Sequence, residues 1–209
     1  NLTLCASTVP SQYILPKVIS AFREEYPNVT FNIQRQDSEQ VAESISKGLA
    51  DIGFCGTDTH NPDCTFESFT SDHLVIITPN SDRFQQMQSG GMKTDVLKNE
   101  AMVVREEGSG TRREMEHFLN KAGIDMGELK IVAQFNDPDS IKHSVSQGMG
   151  ISVISKAAIE DYENFGLLLS FDLSGISMDR HLYIVTHKSN DLSFVGEVFL
   201  NFVKMYYDK

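Results

Sequence analysis

LTLCASTVPSQYILPKVISAFREEYPNVTFNIQRQDSEQVAESISKGLADIGFC, residues 2–55, changes its hydrophobic period four times. Leu2–Ala6 reads as a buried strand and Ser7-Thr8-Val9-Pro10-Ser11 as a polar turn. Tyr13, Ile14, Leu15, Val18, Ile19, Phe22 and Tyr26 then recur at three- and four-residue spacing, the face of an amphipathic helix. Pro27-Asn28 stops it, and Val29–Ile33 alternates as a second strand. Asp37-Ser38 caps a second helix, Glu39–Gly48, with Val41, Ile45 and Leu49 inward and Gly48 at its end. Asp51–Cys55 is a third strand. A β-α-β-α-β run this short is the unit of a parallel sheet with crossover helices, so the fold class is α/β.

Outward from this unit, a turn-rich loop from Gly56 to Ser71 leads to a strand, His73–Thr78. The polar stretch Pro79–Lys98 follows, with Gly90-Gly91 as its tip. A second α/β run then starts. Met102–Val104 is a strand, Thr111–Ala122 a helix with Met115, Phe118 and Leu119 inward, and Lys130–Phe135 a strand. Ser140–Gln147 is a helix, and Ile151–Ile154 a strand. His181–His187 reads as a returning strand and Phe194–Tyr207 as an amphipathic helix completing the first half. Two similar halves with a returning strand and helix describe two Rossmann-like lobes joined by two crossover strands. In such folds ligands sit beyond the carboxyl ends of strands, here in the cleft between lobes.

The chain of 209 residues carries 18 Lys+Arg against 29 Asp+Glu, a formal charge of −11. So acidic a chain does not hold a phosphate backbone by itself, because such binding rests on clustered Lys and Arg. Its apolar runs, such as Leu74–Thr78 and Gly166–Leu169, fall far short of the ~20 residues of a membrane span. No charged-then-apolar signal segment opens the chain. Cys5, Cys55 and Cys64 make an odd set, which favours a reducing cytoplasm over a disulfide-bonded secreted domain. A start in mid-strand suggests a domain cut from something longer.

Arg105-Glu106-Glu107-Gly108-Ser109-Gly110-Thr111-Arg112 is the sharpest local feature. Two glycines around Ser109 allow a tight turn whose N–H groups face outward at a helix start, where the dipole favours an anion. The spacing is neither that of a P-loop nor that of a Gly-x-Ser-x-Gly elbow. Ser7-Thr8, Gly56-Thr57 and Asn136-Asp137 also follow strands, so four polar clusters converge at strand ends. The candidate ligand contacts are Ser7, Thr8, Gly56, Thr57, Ser109, Gly110, Thr111 and Asn136, with Arg112 the one nearby cation. The six histidines show no triad order, and Asp58–Cys64 lacks a second pair at zinc spacing. No catalytic residue, metal or cofactor is expected. Cys5 and Cys55 could form a redox pair, but small buried side chains are the favoured reading.

With these segments in place, the chain resembles the effector-binding domain of LysR-type transcriptional regulators. The resemblance rests on Leu2–Thr8, Tyr13-Ile14-Leu15-Pro16 and Phe22–Val29, then Gly48–Phe54, then Gly148-Met149-Gly150-Ile151-Ser152-Val153-Ile154. It implies the type 2 periplasmic-binding-protein fold, with lobes at about 1–77 plus 187–209 and 78–186. It also implies a winged helix-turn-helix outside this chain that makes the DNA contact. A small inducer, here with donors suited to an anion, would lie between the lobes and shift a hinge equilibrium. The helix Tyr13–Tyr26 and its neighbouring strand would carry a homodimer or tetramer contact. The competing readings are an extracytoplasmic solute-binding receptor for a small anion and an enzyme on the same fold.

Overall fold

The computed structural model describes residues 1–87 and 91–208, so the expected tip at Gly90 lies outside the described residues. Two compact units result: Asn1–Ser71 with His181–Lys209, and Asp72–Arg180. The chain leaves the first unit at 71/72 and returns at 180/181, six residues before the junctions expected from the sequence. Both junctions fall inside long continuous strands, whose alternation does not mark where one core ends.

In the first unit, β1 (Leu2–Ala6) leads through a wide helical turn (Pro10–Ile14) into α1 (Leu15–Glu25). β2 (Phe31–Arg35), α2 (Ser38–Ser46), β3 (Ile52–Cys55) and the outer half of β4 (Cys64–Pro79) follow. β1 pairs in parallel with both β2 and β3, with Leu2 opposite Phe31 and Ala6 opposite Phe54. The two-residue period of β1 then divides the core. Leu2, Leu4 and Ala6 face α1, while Cys5 faces Val41, Ala42 and Ile45 of α2. A capping box fixes the start of α2: Asp37 Oδ1 accepts from Gln40 N at 2.8 Å and Gln40 Oε1 from Asp37 N at 3.1 Å. The helix ends before Gly48 (φ +66°), so Leu49 projects into solvent rather than inward as its spacing suggested. β4 also begins earlier than expected, at Cys64 inside the expected loop. Phe66 and Phe69 lie three residues apart and break the strand period, which hides its outer half.

The second unit takes the inner half of β4, then α3 (Asp82–Gln85) and α4 (Thr94–Asn99). β5 (Ala101–Arg105), α5 (Gly110–Lys121), β6 (Lys130–Phe135), α6 (Pro138–Ser146) and β7 (Ser152–Ser155) repeat the strand–helix pattern. β5 and β6 pair in parallel. Like α3 and α4 in the stretch expected only to be polar, two elements without a mark in the sequence close the unit, α7 (Glu160–Asn164) and β8 (Leu168–Phe171). β7 and β8 both run antiparallel to β4. Leu74, Ile76, Met102, Val104, Met115, Phe118, Leu119 and Ile151 meet in the core.

β9 (Asp179–His187) carries the chain back and pairs antiparallel with β3, giving the first unit the strand order β2-β1-β3-β9. α8 (Phe194–Tyr207) then covers the α1 face, and Phe22 packs edge-on to Phe199 and Phe202. The apolar row of α1 is therefore buried within its own unit through Leu15, Val18 and Phe22. Taking that row out of water stabilises the unit by several kcal/mol. No helix among the described residues is long and apolar enough to cross a membrane.

Candidate functional site

In the first unit, Ser7 and Thr8 leave β1 while Gly56 and Thr57 leave β3 beside it, and all four are buried. Ser7 N donates to Phe54 O at 2.8 Å, which carries the β1–β3 ladder one step past Ala6. Ser11 N donates to Ser7 O at 2.9 Å and Ser11 Oγ to Thr8 O at 3.0 Å, so the turn after β1 is wound tightly. Cys55 Sγ donates to Thr57 O at 3.1 Å and pins the turn after β3. Parallel pairing thus brings Ser7, Thr8, Gly56 and Thr57 to one end of the sheet, just past the carboxyl ends of β1 and β3.

The same end of the sheet holds a residue that the sequence marks only as part of a cap. Ser38 follows the end of β2 in the first turn of α2, is 1% exposed, and its Oγ has no hydrogen-bond partner. Gln12 Oε1, after β1, is also buried without a partner. A buried hydroxyl left unpaired costs free energy that a ligand can recover. No sequence signal separates Ser38 from an ordinary helix-start serine; only its burial does.

In the second unit, Ser109 is the N-cap of α5, with Oγ accepting weakly from Arg112 N at 3.4 Å. Ser109, Gly110 and Thr111 are buried, and the N–H groups of Gly110 and Thr111 stand at the helix start. Ser109 N to Glu106 O (3.0 Å) and Glu106 N to Phe135 O (3.1 Å) tie the turn to the end of β6. Asn136 follows β6 and is exposed, while Asp137 beside it caps α6 by accepting from Ser140 N at 2.8 Å.

Arg112 is not a free cation, contrary to expectation. Its Nε donates to Glu116 at 2.8 Å, and its Nη1 donates to Arg105 O and Gln134 Oε1, each at 3.0 Å. Arg105, buried at the end of β5, pairs with Glu106 through Nε (2.8 Å) and Nη2 (2.9 Å). Both guanidinium groups are already matched by carboxylates. Negative charge placed on this turn would meet backbone N–H groups, hydroxyls and a helix dipole.

The thiols are poorly suited to redox chemistry. Burial pushes Cys5 up to about 12, and burial followed by the Asp63 charge raises Cys64. Thiols held protonated are weak nucleophiles, and all three cysteines are buried and outside any disulfide. Among the described residues no group of His, Cys, Asp and Glu is arranged to hold a metal.

The family model described as LysR substrate binding domain matches residues 1–207. The HTH-type transcriptional activator CmpR of Synechocystis is 29% identical over 203 residues, 97% of this chain and 65% of CmpR. The chain thus spans just under two thirds of that relative's length. Among solved structures, the Synechocystis CcmR regulatory domain in complex with 2-PG superposes with a TM-score of 0.88 at 21% identity, covering 100% of this chain and 97% of that one. The effector binding domain of QuiR in complex with shikimate gives 0.88 at 17% identity, over 100% and 97%. These likenesses establish the type 2 periplasmic-binding fold.

Proposed function

Because the chain belongs to the LysR substrate-binding domain family, we propose that it is the sensing part of a transcriptional regulator and binds a small anionic effector. The contacts are Ser7, Thr8, Gly56 and Thr57 of one unit, and Ser109, Gly110, Thr111 and Asn136 of the other. Ser38 joins the first set. The observation that carries this reading is the buried Ser109-Gly110-Thr111 start of α5, which gathers N–H groups and hydroxyls at a positive helix end. Effector occupancy shifts a conformational equilibrium because one state is bound more tightly than the other. DNA contact belongs to a separate winged-helix domain of the full-length regulator, which works in the cytoplasm. The acidic charge of this part agrees with that division.

That curated relatives are regulators supports this reading over an extracytoplasmic receptor or an enzyme. CcmR with 2-PG and QuiR with shikimate make small oxygen-rich acids the first probes. Calorimetry with 2-PG, shikimate, phosphate and sulfate tests the proposal. One of them should bind, and Ser109→Ala with Thr111→Val should weaken it at least about tenfold, since each lost hydrogen bond to a charged ligand is worth about 1.5–3 kcal/mol. Unchanged affinity in a folded double variant refutes the assignment.

We also propose self-association. β2 is an exposed strand with Ile33 outward, and Tyr26, Met205 and Tyr206 are exposed at the ends of α1 and α8. A homodimer or tetramer would cover these surfaces.

A further inference from the structure

The chain enters the second unit at Asp72-His73 and leaves it at Asp179-Arg180. Two side-chain pairs of different chemistry join these four residues. Asp72 and Arg180 form the buried one: Asp72 Oδ2 accepts from Arg180 Nε at 2.8 Å and Nη2 at 2.7 Å, and Asp72 Oδ1 from Ser155 Oγ at 2.6 Å. The next residue on each crossing supplies the other pair. His73 Nδ1 lies 2.7 Å from Asp179 Oδ1, and His73 Nε2 lies 2.7 Å from Asp172 Oδ1 on the segment after β8. Ser177 Oγ donates to the second oxygen of Asp179.

A neutral imidazole donates from only one nitrogen and presents a lone pair at the other. With a carboxylate oxygen at hydrogen-bond distance from each nitrogen, the neutral ring must set a lone pair against an anion. Only the imidazolium satisfies both contacts. The charged groups that meet the ring are Asp172 on the segment after β8 and Asp179 on β9; the Asp72–Arg180 pair, one residue along on each crossing, is internally neutral. Partial burial of the ring pulls its pKa down. The hydrogen bonds to Asp172 and Asp179, with their charges, outweigh that and leave it above the ordinary histidine value. Asp179 is held low, first by the Ser177 hydrogen bond and then by His73.

We propose that His73 is a pH-sensitive fastening of the two chain crossings: protonated, it bridges Asp172 and Asp179; deprotonated, it lets go of one of them. The proton leaves to solvent, no bond other than N–H breaks, and the Asp72–Arg180 pair stays in place as the permanent half of the junction. The sign follows from linkage. A raised histidine pKa contributes stability that is fully present below the unfolded-state value of about 6.5 and is lost as pH rises through the folded-state value. The lowered Asp179 pKa contributes stability that is lost on the acid side, as pH falls through it. The fastening is therefore closed in the window between the two.

This inference is independent of the effector. It is tested on the 209-residue chain by NMR titration of the His73 ring, with the ring nitrogens observed directly. Both nitrogens should carry protons at pH 6.5, the ring should titrate above about 6.5, and Asp172→Asn should shift that titration downward. The melting temperature of the wild type should exceed that of His73→Gln at pH 6, and the difference should shrink as pH rises through the His73 titration. A singly protonated ring at pH 6.5, or a titration that Asp172→Asn leaves in place, overturns the proposal. So does a melting difference flat from pH 6 to 9. The wild-type and Asp172→Asn titrations decide the matter even where His73→Gln fails to fold.

Discussion

Arg112 shows how far residue type is from residue role. As a cation one position past a Ser-Gly-Thr turn it looked available to an anion, yet its guanidinium joins β5, β6 and α5 through Arg105 O, Gln134 and Glu116. Its work is to hold the turn from Glu106 to Thr111 in shape. Arg112→Met keeps the stem and deletes the donors, leaving the Gln134 and Arg105 acceptors without this partner. We expect a stability loss of about 1–3 kcal/mol and faster hydrogen exchange at the amides of residues 106–110, measured by mass spectrometry on the free protein. Unchanged exchange would mean the turn holds itself. Ser38 carries no mark in the sequence either, because an unpaired buried hydroxyl is a property of its surroundings.

At the scale of elements, the Gly148-Met149-Gly150 motif before β7 divides two tasks between its glycines. Gly148 lies at φ +86° with open space where a Cβ would point. Gly150 has an ordinary backbone, but a Cβ there would sit 2.3 Å from Ala101 O on β5. Ile151 N donates to that same carbonyl at 2.8 Å, so the strand cannot back away without breaking its own bond. Gly150→Ala should cost about 1–3 kcal/mol through overpacking. Gly148→Ala should cost only the left-handed strain, about 1–2 kcal/mol. Thermal melting of the two variants checks the order: Gly150→Ala should melt lower. Gly53 in β3 repeats the close-approach pattern against Val41 of α2, at 2.8 Å.

For the whole molecule, the proposed self-association has an outward surface to use. The apolar row of α1 packs inside its own unit, leaving β2 and the exposed ends of α1 and α8 as the outward surface. Light scattering across concentrations should give at least a dimer mass, and Met205→Glu with Ile33→Glu should shift it toward the monomer while leaving the melting temperature within a few degrees, because both side chains are exposed. A monomer at all concentrations would remove the proposal.

The sequence by itself determined the α/β class, the order of every strand but β8 and of the five longer helices, and the strand-end position of every polar cluster. Those features follow from local period and turn chemistry, written in consecutive residues such as Leu2–Cys55. The family likeness was legible too, because landmarks such as Gly148–Ile154 keep their spacing. Tertiary structure alone decided which of those residues are buried, which charges are already paired, and which face of α1 is covered. It also decided that His73, Asp172 and Asp179, up to 106 positions apart, share one ring. Hydrogen bonds and burial between distant segments depend on how strands pair, and the local period of a strand does not encode its partners.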